Sequence, residues 1–219
     1  MIKQQRIIAD DFAYSPEISQ VIGELLELGV LSGTSCMTST PSWPADAENL
    51  MAIREKNPDI EVGLHFVLTE SWLPPLTDEI TTPYTLKQLL ISSHLGKLNT
   101  AHIQAEFEAQ LDLFIRYFKR MPDFVDGHQH VHLFPQIREA VLSALQKRGF
   151  TGWVRQCGGP LGQVMLRPFR PKSLFLAMLS IPFRRALKRY AFDSNEDFAG
   201  IYDFTTKSDY QALLAHWRN

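Results

Sequence analysis

The 219 residues are 45% hydrophobic and 21% charged, ordinary globular usage that supplies apolar side chains for one large core and reads as a single domain over residues 1–219. Lysine and arginine number 22 against 24 acids, and the formal charge of -2 excludes a whole-chain pull toward nucleic acid or an anionic membrane. Cys36 and Cys157 form neither a CxxC nor a zinc-finger spacing, which excludes a cysteine framework and fits a reducing cytoplasm.

Met1 to Arg6 carries no signal-peptide pattern. Arg6 to Asp10 then reads as a strand. Ser15-Pro16-Glu17 supplies an N-cap, a first-turn proline and a first-turn acid for a helix whose apolar face is Ile18, Val21, Ile22, Leu25 and Leu26, closed by Gly29. Thr34 to Thr38 is strand-like, Ala45 to Lys56 helical and Ile60 to Leu68 strand-like. Ile103, Phe107, Leu111, Phe114 and Phe118 mark one face of a longer helix. Phe124 to Asp126 leads into a helix carrying Ile137, Val141, Ala144 and Leu145, which Gly149 closes. Phe150 to Arg155 and Gly200 to Phe204 are further strand candidates, and an amphipathic run follows over Tyr210 to Trp217.

Strand and helix alternating in this way predict an α/β fold with parallel strands, either an open sheet or a barrel. Six strand-helix units fall short of the eight of a complete barrel, so an incomplete TIM-like barrel is expected. In either architecture functional residues belong at the carboxyl ends of strands. Three polar clusters occupy such ends: Asp10-Asp11, His65, and Asp126-Gly127-His128-Gln129-His130-Val131-His132. Taken singly, His65 reads as a core histidine and Asp10-Asp11 as a turn signal. Three histidines in five residues behind an aspartate read instead as a metal or acid-base site. Two histidines and one carboxylate suit a catalytic divalent ion with a position left for water. In an extended segment His128, His130 and His132 would line one wall. His94, His102 and His216 lack such company and read as surface residues. Arg155 is expected to pair with a carboxylate such as Asp10 or to sit at the surface.

The stretches Ile8-Ala9-Asp10-Asp11-Phe12, Gly63-Leu64-His65-Phe66-Val67-Leu68-Thr69, and Asp126 to His132 followed by Phe134-Pro135 resemble the YdjC-like carbohydrate deacetylase family, which includes chitooligosaccharide deacetylases. The resemblance implies an incomplete (β/α) barrel that removes acetyl groups from N-acetylated sugars with one divalent ion, usually magnesium, zinc being the alternative. Carried over by position, it implies Asp11, His65 and His128 as metal ligands and Asp10 as catalytic base. Two departures stand out. Ala13 occupies a position where many relatives have glycine, and a later His-Pro motif is absent from these 219 residues. Together with the apolar pattern of Leu213, Leu214 and Trp217, that absence leads us to expect a chain lacking its last strand. An open seam would follow, with partly exposed apolar residues and a tendency to form a homodimer.

The expected chemistry is attack of an activated water on an acetamide, with Asp10 taking the proton and His130, His132 or the missing histidine protonating the amine. Arg167 to Tyr190 holds seven basic residues around an apolar stretch, with Pro168, Pro171 and Pro182 expected to break it. The most apolar part, Ser173 to Phe183, is too short to span a bilayer, and the segment reads as a barrel helix with a basic solvent face, peripheral membrane contact being the alternative. Similar segments, followed by a sequence like Asp197-Phe198-Ala199-Gly200, occur in relatives associated with hopanoid biosynthesis, which implies a glycolipid as the alternative substrate. Two other functions meet the same residues: a sugar-binding protein without catalysis, and a metal-dependent phosphoester hydrolase.

Overall fold

Each β-α alternation expected from the periodicity is present as far as the fifth strand. The computed structural model describes residues 5–201, 209 and 211–213. β1 (Ile8–Phe12), β2 (Gly33–Cys36), β3 (Glu61–Phe66), β4 (Phe124–Gly127) and β5 (Trp153–Val154) form one parallel sheet in sequential order. Crossovers carry α1 (Pro16–Glu27), α2 (Trp43–Lys56), α3 (Leu86–His94), α4 (Thr100–Phe118) and α5 (Pro135–Lys147), and α6 (Leu161–Leu166) and α7 (Arg170–Tyr190) follow β5. Sequential parallel neighbours with helical crossovers are the winding of a (β/α) barrel, and among the described residues the sheet stays open. Ile7, Ile8 and Ala9 are half-buried along its first strand.

Among the described residues five strands stand where six units were expected. Beside β5 the position of a next strand is taken by Asp193, which bridges Trp153 in parallel and whose carbonyl accepts from Val154 N at 2.9 Å. Most of the strand expected over Gly200 to Phe204 and of the run Tyr210 to Trp217, including Leu214 and His216, lies outside the described residues.

The sheet's outer face is apolar because every second residue of these strands is. Val62, Leu64, Phe66, Val125 and Val154 are fully buried in the same core as Phe107, Leu111 and Phe114 of α4. Ser15 caps α1 through Ile18 N, and Gly29 and Gly149 end their helices in the left-handed conformation, as the sequence predicts; Asn99 caps α4. α3 had no sequence expectation. A capping box of Thr85 and Gln88 starts it, and the loop leading to it is pinned by buried Glu106, which accepts from Leu76 N, Thr77 N and Thr77 Oγ1 at 2.9 to 3.1 Å.

Pro168 lies in the break between α6 and α7, as expected, whereas Pro171 and Pro182 do not break α7. Pro171 lies in the first turn of α7, where its missing N–H has no intrahelical partner to lose. Pro182 lies inside, yet Phe183, Ala186 and Leu187 beyond it remain buried, so packing outweighs one lost hydrogen bond.

Two backbone features place the site. In β1 the register advances three residues, Ala9 to Phe12, while β2 advances two, Thr34 to Cys36, and Asp11 takes a left-handed φ of 66° in this bulge. A regular strand would aim Asp10 and Asp11 at opposite faces. Ala13 has a φ of 70°, the conformation that favours glycine and the reason a glycine suits that position. On the inner face, Gly63 pairs with Phe124 and His65 with Asp126. A Cβ at Gly63 would come within 2.5 Å of the Phe124 ring, itself stacked on Trp153 with centroids 4.5 Å apart.

Gly63→Ala is therefore expected to destabilise the fold by about 1 to 3 kcal/mol through overpacking. Denaturant unfolding measures this, and an unchanged midpoint would show that the Phe124 ring does not lie across Gly63.

Candidate active site at the strand ends

Asp11, His65 and His128, 117 positions apart at their extremes, meet at the carboxyl ends of β1, β3 and β4. Asp11 Oδ1 lies 3.1 Å from His65 Nε2 and 2.9 Å from His128 Nδ1, and the two nitrogens are 3.4 Å apart. Three donors bonded to one ion at about 2.0 to 2.1 Å would be separated by about 2.9 to 3.4 Å in octahedral or tetrahedral arrangement. The residues therefore fit a divalent cation.

The outward nitrogen of each histidine is held by a carboxylate. His65 Nδ1 lies 2.7 Å from Asp126 Oδ1, and His128 Nε2 lies 2.8 Å from Glu70 Oε1. Donation of those N–H groups leaves the inward lone pairs on His65 Nε2 and His128 Nδ1, the arrangement that orients imidazoles toward a metal. Ser35 Oγ donates to Asp126 Oδ2 at 3.0 Å. Trp72 Nε1 donates to Glu70 Oε2 at 2.9 Å, and the Tyr14 and Trp72 rings meet edge to face with centroids 5.3 Å apart.

A second group, Asp10, His65 and Asp126, also brings possible ligand atoms together. Arg155 occupies its charge. Nη1 lies 2.7 Å from both Asp10 oxygens and 2.6 Å from Asp126 Oδ2, and the residue is only 5% exposed. A surface position for Arg155 is thus ruled out. With the guanidinium already neutralising these acids, the Asp11 group is the one of the two whose charge is left free to suit a cation.

Electrostatics separate the carboxylates. Burial, with Asp126 adding, lifts Asp10 above its ordinary value against the pull of Arg155 and His65. Burial would also raise Asp126 and Asp11, but Arg155 and His65 hold Asp126 well below the usual range, and His128 and His65 do the same to Asp11. At His65 burial acts to lower the pKa, and Asp126 and Asp11 together overcome it, so it ends well above ordinary. A cation bound there would have to displace that proton, and its binding would weaken in acid.

The three histidines of the motif do not share one wall. After Gly127 the chain turns through His128–Leu133, with Gln129 and His130 in left-handed conformations at φ 52° and 60°, so the period of an extended strand is lost. His128 joins Asp11. His130 is half-buried at the rim, 3.6 Å from Cys157 Sγ and edge-on to Phe198 with centroids 5.5 Å apart. His132 is enclosed: its Nε2–H donates to Arg155 O at 2.8 Å, its ring stands edge-on to Phe183, and Nδ1 has no partner among the described residues. Burial, aided by Arg155 and His65, pushes His132 down to about 4 although Asp126 opposes it. Burial also drives His130 well below its ordinary value.

Sequence reasoning missed Glu70 and Ser35. Glu70 follows the Gly63–Thr69 stretch by one residue, in the loop leaving β3, where the strand-end criterion would have found it. His94 is exposed and His102 half-buried, both away from this cluster.

The sequence model of the YdjC-like protein family matches residues 6–218. The chain belongs to the YdjC-like family. It is 32% identical to a chitooligosaccharide deacetylase of Serratia marcescens over 145 residues, covering 64% of this chain and 55% of that protein. It is 34% identical to the Yersinia enterocolitica protein of the same name over 137 residues, 62% and 53% of the two chains. A carbohydrate deacetylase of Danio rerio is 29% identical over 157 residues, 66% and 47%. This YdjC-like chain thus spans about half the length of the curated relatives it matches. It also resembles the crystal structure of an Enterococcus faecalis V583 protein named as a candidate for cellobiose-phosphate cleavage, with TM-score 0.64 and 21% identity over 96% of this chain and 74% of that one. That likeness shows the fold.

His132 provides a pH signature. Its folded pKa is depressed from 6.5 to about 4, so the stability tied to its neutral form is present above pH 6.5 and lost as pH falls toward 4, where the unfolded chain takes a proton the folded chain refuses. The loss is on the order of 3 kcal/mol. Unfolding of His132→Gln across this window should show a shallower acid slope than the parent; equal slopes would mean that His132 is not held neutral.

Proposed function

We propose that this chain is a metal-dependent deacetylase of N-acetylated sugars. The observation that carries the reading is the triangle of donor atoms on Asp11, His65 and His128, with both histidines oriented by outer carboxylates. The names of its relatives supply the substrate class, a chitooligosaccharide or related N-acetylated carbohydrate.

A divalent cation on Asp11, His65 and His128, magnesium by family resemblance, would polarise the acetyl carbonyl and acidify water. Asp10 takes the water's proton on a carboxylate oxygen. It suits the task because burial raises its basicity while Arg155 fixes its position through both oxygens. Attack at the acetyl carbon breaks the C–N bond, leaving acetate and an amine that needs one proton. Of the two histidines after His128, His130 is the less buried, and we assign it the donation; burial holds it neutral in the resting protein, so the proton it passes to the amine is one gained during the reaction. His132 works through Arg155, whose carbonyl it holds. The exposed Trp72 face beside Glu70 offers an apolar surface for a sugar ring.

Acetate release from N-acetylglucosamine oligomers tests the reading against the sugar-binding and phosphoesterase alternatives. Asp10→Asn should keep metal affinity and lower turnover by roughly 10² to 10⁴-fold. Asp11→Asn should weaken metal binding, and excess metal should restore part of its activity and none of that lost in Asp10→Asn. Equal rescue of both, or phosphate release without acetate release, would overturn the assignment.

Trp72→Ala should raise KM for oligomers with kcat little changed. An unaltered KM would remove Trp72 from the substrate surface.

A further inference from the structure

The formal charge of -2 conceals a local asymmetry. From Gln156 to Phe192 the chain has seven lysines and arginines and no aspartate or glutamate. The same segment concentrates exposed apolar side chains. Of the sixteen large hydrophobics that are exposed among the described residues, seven fall between Leu161 and Ile181. On α6 these include Leu161, 71% exposed, with Met165 and Leu166. On α7 they are Phe175, Met178, 68% exposed, and Ile181.

The spacing on α7 separates two apolar faces. Leu176, Leu179, Phe183, Ala186 and Leu187 pack into the core, while Phe175, Met178 and Ile181, three residues apart, occupy the solvent side. Core packing accounts for the first set and has no use for the second. Exposed cations bracket the second set along the helix: Arg170 and Lys172 before it, Arg185 and Lys188 after it. No helix among the described residues is long and apolar enough to cross a membrane, so the arrangement is that of an element lying on a surface.

We propose that the exposed faces of α6 and α7 dock on an anionic lipid bilayer, the apolar side chains entering the headgroup boundary and the flanking cations meeting lipid phosphates. Charge complementarity selects this occupant. A second copy of the chain on the same face would set the exposed cations Arg170, Lys172, Arg185 and Lys188 against their own copies, which opposes association. A polyanion without an apolar layer would leave Phe175, Met178 and Ile181 in water. The docking face also adjoins the candidate site, because α6 begins six residues after Arg155, at the sheet end where Asp10, Asp11 and His65 converge.

The test is co-sedimentation of the full chain with vesicles of phosphatidylglycerol and phosphatidylcholine, and with phosphatidylcholine alone. The chain should bind the anionic vesicles, bind less as salt rises, and not pellet with neutral ones. Phe175→Ser with Met178→Ser should abolish binding, and Arg170→Gln with Arg185→Gln should weaken it by on the order of tenfold. Leu95→Ser, at an equally exposed position after α3, should change nothing. Thermal unfolding of each variant separates loss of docking from loss of fold. Absence of binding by the folded parent, equal pelleting with neutral vesicles, or binding unaffected by either pair of substitutions overturns the proposal, as does a dimer in sedimentation velocity that Phe175→Ser with Met178→Ser splits.

Discussion

Four carboxylates converge on one end of the sheet, and their mutual repulsion has to be met by positive charge held at fixed places. Arg155 meets half of it. Its guanidinium lies within 2.7 Å of Asp10 and Asp126, with its central carbon 5.6 and 5.9 Å from the ring centroids of Phe124 and Phe198. A buried arginine holding two acids is strongly destabilising to break, since removing one partner leaves uncompensated charge in a low-dielectric interior. The other half falls to whatever lies between Asp11, His65 and His128: without metal a proton on His65, and on the proposed reading a cation. Asp126 belongs to both halves, because it accepts from His65 and from Arg155 at once.

That division assigns different work to neighbouring residues. The bulge in β1 brings Asp10 and Asp11 to one site, and their partners then separate them. Asp11 faces imidazoles and is strongly acidic, as a metal ligand should be. Asp10 faces a guanidinium from within a buried pocket and is the more basic of the two. The turn after Gly127 repeats the device with histidines. Left-handed backbone at Gln129 and His130 sends His128 to Asp11, leaves His130 at the rim and tucks His132 beneath Arg155.

Much of this was legible in the sequence. Apolar periodicity located the first five strands and most helices, and the strand-end criterion singled out Asp10, Asp11, His65 and the Asp126–His132 run. What escaped was geometry that no two-residue or 3.6-residue period encodes. Left-handed φ values at Asp11, Gln129 and His130 are invisible to pattern reading, since any of these residue types also fits a strand. Glu70, one residue past the Gly63–Thr69 stretch, was within reach of the strand-end criterion, whereas Arg155 could be placed only once β5 had been registered beside β4. Pro182 misled because its cost to the helix is local, whereas the burial of Phe183 and Leu187 that outweighs it is tertiary.

The central claim is that the Asp11 triangle, rather than the Asp10 group one residue away, is the cation site. Anomalous diffraction from crystals of this chain soaked in manganese or zinc measures it directly. The account predicts one peak bonded to Asp11, His65 and His128, with Asp126 and Glu70 outside the coordination shell and Arg155 still on Asp10. A peak among Asp10, His65 and Asp126, or a fully soaked crystal with no peak at either group, would contradict it.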